Sequence, residues 1–143
     1  MQVSRNIGAF IRTARVAHLA TADKHGEPHV IPICFVFDGK CFYSPIDEKP
    51  KRVRPNQLKR MKNIRENPRV SLVIDRYDED WARLGWVMLR GAAEILETGE
   101  EHDRAQALLR GKYAQYHAMS LAGLPVISLR IARVAAWGDL SAD

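Results

Sequence analysis

The chain has 143 residues, of which 46% are hydrophobic and 27% are charged, values typical of one globular domain over residues 1–143. Its net charge of +5 is moderate, and arginines inside the apolar run of the N-terminus exclude a secretory signal. No apolar stretch approaches the length of a membrane span, and two cysteines are too few for a disulfide framework. We therefore expect a cytoplasmic protein that does not enter a membrane.

The first part of the chain predicts one helix followed by strands. Apolar residues at helical spacing, Ile7, Phe10 and Ile11, predict a short helix over Ser4–Ala14 with Ser4 as its N-cap. β-Branched and aromatic residues separated by turn signals then predict three strands. These strands are predicted over Val16–Asp23, His29–Phe37 and Lys40–Ser44. Because proline has no N–H to donate, Pro32 indicates an edge strand, a bulge or a place where the backbone faces a ligand.

The dipeptide Asp38–Gly39 is a strong hairpin signal between the second and third predicted strands. A two-residue turn there pairs Phe37 with Lys40, and it makes Cys34 and Cys41 diagonal neighbours. Diagonal positions lie about 7–8 Å apart, which is too far for an easy disulfide. We therefore predict two buried, reduced thiols.

The rest of the chain predicts a mainly β fold of the α+β class with peripheral helices. Two helices are predicted over Pro55–Glu66 and Glu100–Met119, and three strands over Val70–Tyr77, Trp86–Glu97 and Pro125–Leu140. The glycine in the middle of the second of these strands, Gly91, indicates a bulge or a sharp bend. Short connections favour antiparallel pairing, and six long strands with peripheral helices predict a closed or nearly closed barrel.

A basic segment, "EKPKRVRPNQLKRMKNIREN", separates the third strand from the rest. Between Lys49 and Arg65 it has eight Lys and Arg and no carboxylate. These eight positive charges exceed the net charge of the whole chain, which is +5. The composition of the segment suits nucleic-acid phosphates, but it lacks interleaved aromatic residues, so nucleic acid is an unlikely partner. A merely solvated helix face normally mixes charge signs, whereas clustered like charges repel unless an anion lies among them. The phosphate of a small cofactor, near the start of the Pro55 helix, fits this need best.

Other site chemistries find no support in the residue spacing. His25 and His29 are four residues apart, but a Gly-Pro turn separates them, and no CxxC or HExxH spacing indicates a metal. His18, within a predicted strand, is interpreted as a structural histidine with its hydrogen bonds satisfied. No GxSxG, Walker or Rossmann pattern occurs, so we assign no catalytic residue and no metal ligand.

Several segments together resemble a known family: "LATADKHGEPHVIPICFVFDGKCFYS", then "KPK", then "LKRMKNIRENPRVSLVIDRYDEDWARLGWVMLRGAAEI". The chain resembles the split β-barrel flavin and deazaflavin oxidoreductases related to pyridoxamine 5′-phosphate oxidase, and within them the deazaflavin (coenzyme F-420)-dependent enzymes. The resemblance implies an antiparallel split β-barrel of the FMN-binding type. It also implies a homodimer with two cofactor sites at the interface.

The resemblance further implies which residues hold the cofactor. The strand along the flavin or deazaflavin ring contains Val30, Ile31, Pro32 and Ile33, which would explain the proline as backbone that faces a ligand. The remaining implied positions are Tyr43 and Ser44 near the ribityl chain, Lys49 and Lys51 at the phosphate, Lys59, Arg60 and Asn63 on the following helix, and Trp81 and Trp86 contributed by the partner subunit. Variable loops, here Asp78–Leu84 and Met119–Leu124, would line the substrate pocket.

The activity implied is hydride transfer between a bound deazaflavin, coenzyme F-420, and an unidentified small-molecule acceptor. FMN is the alternative cofactor, and a non-catalytic flavin- or anion-binding module is the alternative of another class. Eight cations exceed what one phosphate needs, and the additional carboxylates of the deazaflavin coenzyme favour F-420. The phosphate segment is longer than the usual Ser-Arg-Lys run, and the C-terminal arginine motif of true pyridoxamine oxidases is missing, which argues against pyridoxal phosphate synthesis.

Overall fold

The computed structural model describes residues 2–46, 58–119 and 123–141. Three helices and seven strands occur within these ranges, together with two short 3₁₀ turns at Trp81–Arg83 and Ala114–His117. In chain order the elements are α1 (Arg5–Thr13), β1 (Ala17–Ala22), β2 (Pro28–Ile33), β3 (Val36–Phe37), β4 (Cys41–Pro45), α2 (Lys59–Glu66), β5 (Arg69–Arg76), β6 (Gly85–Leu96), α3 (Glu100–Lys112) and β7 (Val126–Gly138). No helix in these ranges is long and apolar enough to cross a membrane.

All seven strands form one antiparallel sheet in the order β2-β1-β5-β6-β7-β4-β3. The two end strands, β2 and β3, are separated in the chain only by Cys34 and Phe35. Because so short a link joins the two ends, the sheet must curl round on itself. The predicted antiparallel split barrel is therefore confirmed, and Pro32 lies in a strand at the end of the sheet order, as its missing N–H requires.

Apolar side chains fill the interior of the curled sheet. Leu19, Leu72 and Leu89 occupy neighbouring strands and are essentially inaccessible to solvent. Helix α1 lies near the end of the barrel where β1 begins, since the guanidinium of Arg76, at the end of β5, lies over the Phe10 ring. Helix α2 lies at the opposite end, where β1 finishes and where Asn63 of α2 hydrogen-bonds Thr21.

The bulge predicted at Gly91 is confirmed. Arg90 pairs with Arg133 and Gly91 pairs with Ile131, which leaves Ala132 as an extra residue in β7. A Cβ atom on Gly91 would lie 1.9 Å from the carbonyl oxygen of Arg130. Only glycine therefore fits this position without a shift of the β7 backbone.

The hairpin register differs from the prediction by two residues. The Oδ1 atom of Asp38 accepts the backbone N–H groups of Lys40 and Cys41, each at 2.8 Å, and the Asp38 N–H donates to the Cys41 carbonyl. Asp38 therefore pairs with Cys41, the turn residues are Gly39 and Lys40, and Phe37 pairs with Phe42 rather than with Lys40. The local hydrogen bonds of the aspartate move the turn by one residue.

The single strand predicted over His29–Phe37 is two strands, because the chain crosses from β2 to β3 at Cys34 and Phe35. Cys34 and Phe35 make no backbone pairs with a neighbouring strand. The hydroxyl of Tyr113 serves instead as the hydrogen-bond partner of the Phe35 backbone. It accepts the N–H of Phe35 at 3.0 Å and donates to the carbonyl of Phe35 or of Arg15. Cys34 and Cys41 are free thiols, and burial raises the pKa of Cys41.

Helix ends agree with the prediction at α1 and differ at α2 and α3. The Ser4 hydroxyl accepts the Ile7 N–H, which confirms the predicted N-cap. Leu58 has extended dihedral angles, so α2 begins at Lys59; the predicted start at Pro55 lies outside the described residues. Helix α3 ends at Lys112 because Tyr113 adopts extended dihedral angles, and a 3₁₀ turn follows.

Replacing Tyr113 with phenylalanine should lower the free energy of unfolding by about 1–3 kcal/mol, because the buried Phe35 N–H loses its partner. Urea denaturation of the wild type and of Tyr113→Phe measures the difference. Tyr77→Phe is the matched control, since Tyr77 is 65% exposed, and its effect should stay within about 0.5 kcal/mol. A Tyr113→Phe protein as stable as the wild type would show that the Tyr113 hydroxyl contributes nothing.

Burial lowers the pKa of Lys112 to about 8, and the nearby charge of Arg15 acts in the same direction. The Lys112 Nζ atom lies 3.7 Å from the centre of the Phe35 ring, and it makes no hydrogen bond within the described ranges. Above pH 8 the folded protein has lost this proton, whereas the unfolded chain retains it up to a pKa of roughly 10.4. The unfolded state then binds more protons, so this group makes stability rise with pH across that window.

From pH 7 to pH 9.5, the free energy of unfolding of the wild type should therefore rise relative to that of Lys112→Met. At pH 7 the substitution should stabilise the protein, since it removes a charge that burial disfavours. Denaturant titrations of both proteins at the two pH values measure this change, with the exposed Lys40→Met as the control. A difference that is independent of pH would contradict the lowered pKa.

Candidate functional site

Strands β1, β2, β5, β6 and β7 share a surface turned away from the barrel interior, which we call the outer face. The register puts Val30, Ala20, Ser71, Arg90 and Arg133 in one row across the five strands. A second row contains Pro32, His18, Val73, Met88 and Ala135. Trp86 lies opposite Trp137 in a third row, at the end of the sheet near α1. The outer face is therefore largely apolar, with arginines towards the α2 end.

The strand implied as the ring-binding strand, β2, presents only alternate residues to this face. Val30 is 64% exposed and Pro32 is also exposed, whereas Ile33 is buried in the core and Ile31 packs against it. Val30 and Pro32 thus offer an open apolar wall at the edge of the sheet. Ile31 and Ile33 support that wall from the interior.

Helix α2 brings two of its three implied residues into contacts with the end of β1. Lys59 Nζ lies 3.7 Å from the Asp23 carboxylate, so part of its charge is already compensated. The pKa of Asp23 is lowered, first by the backbone N–H of Glu27 and then by other groups that include the Lys59 charge. Asn63 is fully buried and donates its Nδ2–H to Thr21 at 2.9 Å, while Arg60 is partly buried.

Tyr43 and Ser44 lie elsewhere, on β4. Both are buried, and the Tyr43 hydroxyl donates to Glu101 of α3 at 2.8 Å and accepts from Arg104. Burial, reinforced by the bond to Glu101, raises the pKa of Tyr43. The structure therefore places the Tyr43 side chain in the packing layer between β4 and α3, apart from the Val30–Pro32 wall.

The two tryptophans implied as partner contributions are on the far side of the outer face. Trp81 is 71% exposed and its indole N–H donates to the Tyr77 hydroxyl at 3.4 Å. Trp86 lies on β6, which β1 and β5 separate from β2. Three strand spacings amount to about 14 Å, so Trp86 does not meet Val30 within one protomer.

Some predicted site residues lie outside the described ranges, among them Lys49, Lys51 and part of the Met119–Leu124 loop. The Asp78–Leu84 loop is described and is held by its own carboxylates. Asp78 pairs with Arg83 at 3.2 Å, and the Asp80 side chain accepts the Ala82 N–H. These contacts within the loop hold its shape.

His18 differs from its interpretation as a satisfied structural histidine. It is half-buried on the outer face, opposite Pro32 on one side and Val73 on the other. No hydrogen bond to its ring occurs within the part of the chain that the structure describes. In the same ranges, no group of three His, Cys, Asp or Glu side chains is arranged to hold a metal ion.

Sequence reasoning missed a groove of about 630 Å³ at the bulge, which we call the arginine groove. Arg69, Arg90 and Arg133 line it, with small residues of β1, β5, β6 and β7 as its floor. The signal in the sequence was weak, because the three arginines are far apart along the chain. Only the register of β5, β6 and β7 shows that they share one face.

Comparison with known proteins assigns the fold to a family. The family described as pyridoxamine 5′-phosphate oxidase matches residues 3–138. A 5a,11a-dehydrotetracycline/5a,11a-dehydrooxytetracycline reductase from Streptomyces rimosus is 29% identical over 98 residues, which cover 66% of this chain and 65% of the reductase. The match thus spans slightly less than two thirds of that relative's length.

Two solved structures share the fold at low sequence identity. The conserved hypothetical protein Rv2991 from Mycobacterium tuberculosis has a TM-score of 0.74 and 21% identity, with coverage of 96% of this chain and 86% of that one. HutZ, the heme storage protein from Vibrio cholerae, has a TM-score of 0.73 and 17% identity, with coverage of 96% and 95%. The curled seven-stranded sheet and the match over residues 3–138 together show that the chain belongs to the pyridoxamine 5′-phosphate oxidase family.

Proposed function

We propose that this protein is an oxidoreductase that transfers a hydride between a bound deazaflavin, coenzyme F-420, and a small-molecule acceptor. The observation that carries the proposal is the similarity to a reductase over 98 residues within an oxidase family. The outer face supports it, because it offers an open apolar wall close to a basic helix. FMN in the same position is the alternative cofactor.

The wall formed by Val30 and Pro32 fits one face of a planar ring. Both residues are exposed at the edge of the sheet, and Pro32 has no N–H that a further strand would use. An aromatic ring placed there would remove apolar surface from water, which favours binding by about 25 cal/mol per Å². The backbone of β2 would thus hold the ring by shape, in agreement with the implied role of Val30, Ile31, Pro32 and Ile33.

The anionic part of the cofactor would lie towards α2. The N-cap of α2, Leu58, has no polar side chain to cap the helix, so its first turn suits an anion. The charge of Lys59 is partly compensated by Asp23, and Arg60 is the next residue of the helix. We therefore assign the closest phosphate contacts to Lys49 and Lys51, as the resemblance implies, with Lys59 and Arg60 as secondary cations.

When it is bound, a deazaflavin or flavin supplies the hydride chemistry. The residues of the chain bind and orient the ring, and the apolar outer face excludes water from it. None of the described residues at the wall is a carboxylate or a lysine that would serve as an acid or base, and His18 is the titratable group of the adjacent row. The acceptor would therefore take its proton from solvent or from His18.

We further propose that the protein is a homodimer that buries the apolar part of the outer face and leaves the arginine groove open. Trp137 is 53% exposed, and together with Val30 and Trp81 it leaves a large apolar surface open in one protomer. Since Trp86 does not reach the Val30–Pro32 wall of its own protomer, it would approach the ring of the partner, and we assign Trp81 the same role. Sedimentation equilibrium should give twice the mass of one 16.2 kDa chain, whereas a monomer at micromolar concentration would contradict this part of the proposal.

Fluorescence titration tests the proposed cofactor. We expect saturable binding of coenzyme F-420 at micromolar concentrations and weaker binding of FMN, because the basic segment has more charge than one phosphate uses. Equal or tighter binding of FMN would favour the flavin alternative. Binding of heme with no binding of either flavin compound would overturn the proposal, and binding without any turnover would leave a flavin-binding module.

A further inference from the structure

The arginine groove lies in the same row of the outer face as Val30, and none of its arginines is among the residues assigned to the cofactor. We propose that it binds a small polyanion, a molecule with two or more carboxylate or phosphate charges. The proposal depends on three observations: the arginines share one face, they have no carboxylate partner among the described residues, and the floor beneath them leaves room for a ligand.

The register brings the three guanidinium groups together. Arg90 lies directly opposite Arg133 across β6 and β7, and it pairs with Ser71 across β5 and β6. Arg69 precedes Ser71 by two residues in β5 and therefore points to the same face. Like charges directly opposite each other in a sheet are destabilising, so this arrangement costs stability unless an anion lies between them.

No carboxylate compensates these charges within the described residues. Some arginines of the chain are paired: Arg76 with Asp139 at 3.4 Å, Arg83 with Asp78 at 3.2 Å, and Arg130 with Glu94 and Glu101 at 3.3 Å each. The described side chains place no Asp or Glu within 4 Å of Arg69, Arg90 or Arg133, and none lines the groove. Within the described part of the chain, the groove therefore retains its positive charge.

The floor of the groove consists of small residues. Its lining includes Ala20, Ala22, Ser71, Gly91, Ala92 and Ala132. The bulge between β6 and β7 adds Ala132 as an extra residue at this point, and bulges are frequent beside binding sites. The resulting volume of about 630 Å³ is in the usual range for a small-molecule pocket.

Three guanidinium groups define the ligand chemistry. Each forms paired N–H···O bonds to a carboxylate or phosphate in a planar fork. Three positive charges match an anion with a charge of two or three, such as a diphosphate or a tricarboxylate. Such an anion could belong to the acceptor or to the cofactor, since the groove borders Thr21 and Pro28 near α2.

Isothermal titration calorimetry with pyrophosphate and with citrate, at an ionic strength held constant with chloride, tests the site without any cofactor. We expect about one site per chain. Arg90→Gln and Arg133→Gln should each raise the dissociation constant at least about tenfold, because each removes charge-assisted hydrogen bonds. Arg110→Gln, an exposed arginine of α3 outside the groove, is the matched control and should leave the constant unchanged.

The absence of binding at constant ionic strength would overturn the proposal, as would equal losses in Arg90→Gln and Arg110→Gln. Conversion of the groove variants from dimer to monomer with unchanged anion affinity would also overturn it, because the arginines would then contact a second copy of the chain. Thermal melts establish that the variants are folded. Displacement of F-420 or FMN by pyrophosphate would identify the cofactor as the source of the anion, and binding without displacement would identify the acceptor; both results support the site.

Discussion

Replacing Gly91 with alanine is expected to lower the free energy of unfolding by about 3 kcal/mol. The added Cβ would lie 1.9 Å from the carbonyl oxygen of Arg130 and 3.3 Å from the Cα of Ile131. These are backbone atoms of the neighbouring strand, so no side-chain rotation relieves the contact. The β6–β7 pairing on either side of the bulge must shift instead. Denaturant titration followed by circular dichroism measures the change.

Gly111→Ala is the matched control for this prediction. Gly111 lies in α3 with no atom within 4 Å of a built Cβ, and alanine is preferred to glycine inside a helix by about 1 kcal/mol. The control should therefore be as stable as the wild type or more stable. A Gly91→Ala protein that unfolds at the same denaturant concentration as the wild type would contradict the close approach at the bulge.

Replacing Val30 with glutamate is expected to weaken cofactor binding at least about tenfold. The substitution places a carboxylate on the wall proposed to contact the ring, and a buried, unpaired charge next to an apolar ring is costly. Val30 is 64% exposed at the edge of the sheet, so the fold should tolerate the change. Fluorescence titration of F-420 and of FMN measures the effect.

Leu108→Glu is the control for Val30→Glu, since Leu108 is an exposed apolar residue of α3 that lies outside the outer face. It adds the same charge to the protein and should leave cofactor affinity unchanged. Equal loss in the two variants would indicate a general electrostatic effect. Unchanged affinity in Val30→Glu would place the ring away from β2.

Local sequence signals predicted the elements that depend on local chemistry. The Ser4 cap, the glycine at the β6 bulge and the proline in an edge strand each follow from the properties of one residue type. The antiparallel barrel followed from short connections between strands. These features could be predicted because each has a signature in one residue type or in the length of a connection.

The features that the sequence did not reveal depend on hydrogen bonds between a side chain and the backbone, one of them between distant segments and the others local. The β2–β3 crossing is satisfied by the hydroxyl of Tyr113, about eighty residues away in the chain. The hairpin register depends on the Asp38 side chain, which accepts from Lys40 and Cys41 and moves the turn to Gly39–Lys40. Neither contact has a signature in the spacing of apolar residues.

The candidate site also has one part that the sequence predicted and another that it did not reveal. The resemblance identified β2 and α2, and the structure places Val30 and Pro32 on an open wall with Lys59 and Arg60 on the nearby helix. Residue identity alone did not separate outward from inward positions, so Ile33 and Asn63 were named although both are buried. The arginine groove required the register of three strands, which no local pattern supplies.

The most direct test of the account is anaerobic oxidation of reduced coenzyme F-420 by a quinone or a cyclic enone, followed by the absorbance of the cofactor. We expect a rate that depends on the protein, saturates with reduced cofactor and is lost in Val30→Glu but retained in Leu108→Glu. Reduced FMN in the same assay tests the alternative cofactor. Rates with either cofactor that equal those in buffer alone, or that are the same in the wild type and in Val30→Glu, would contradict it.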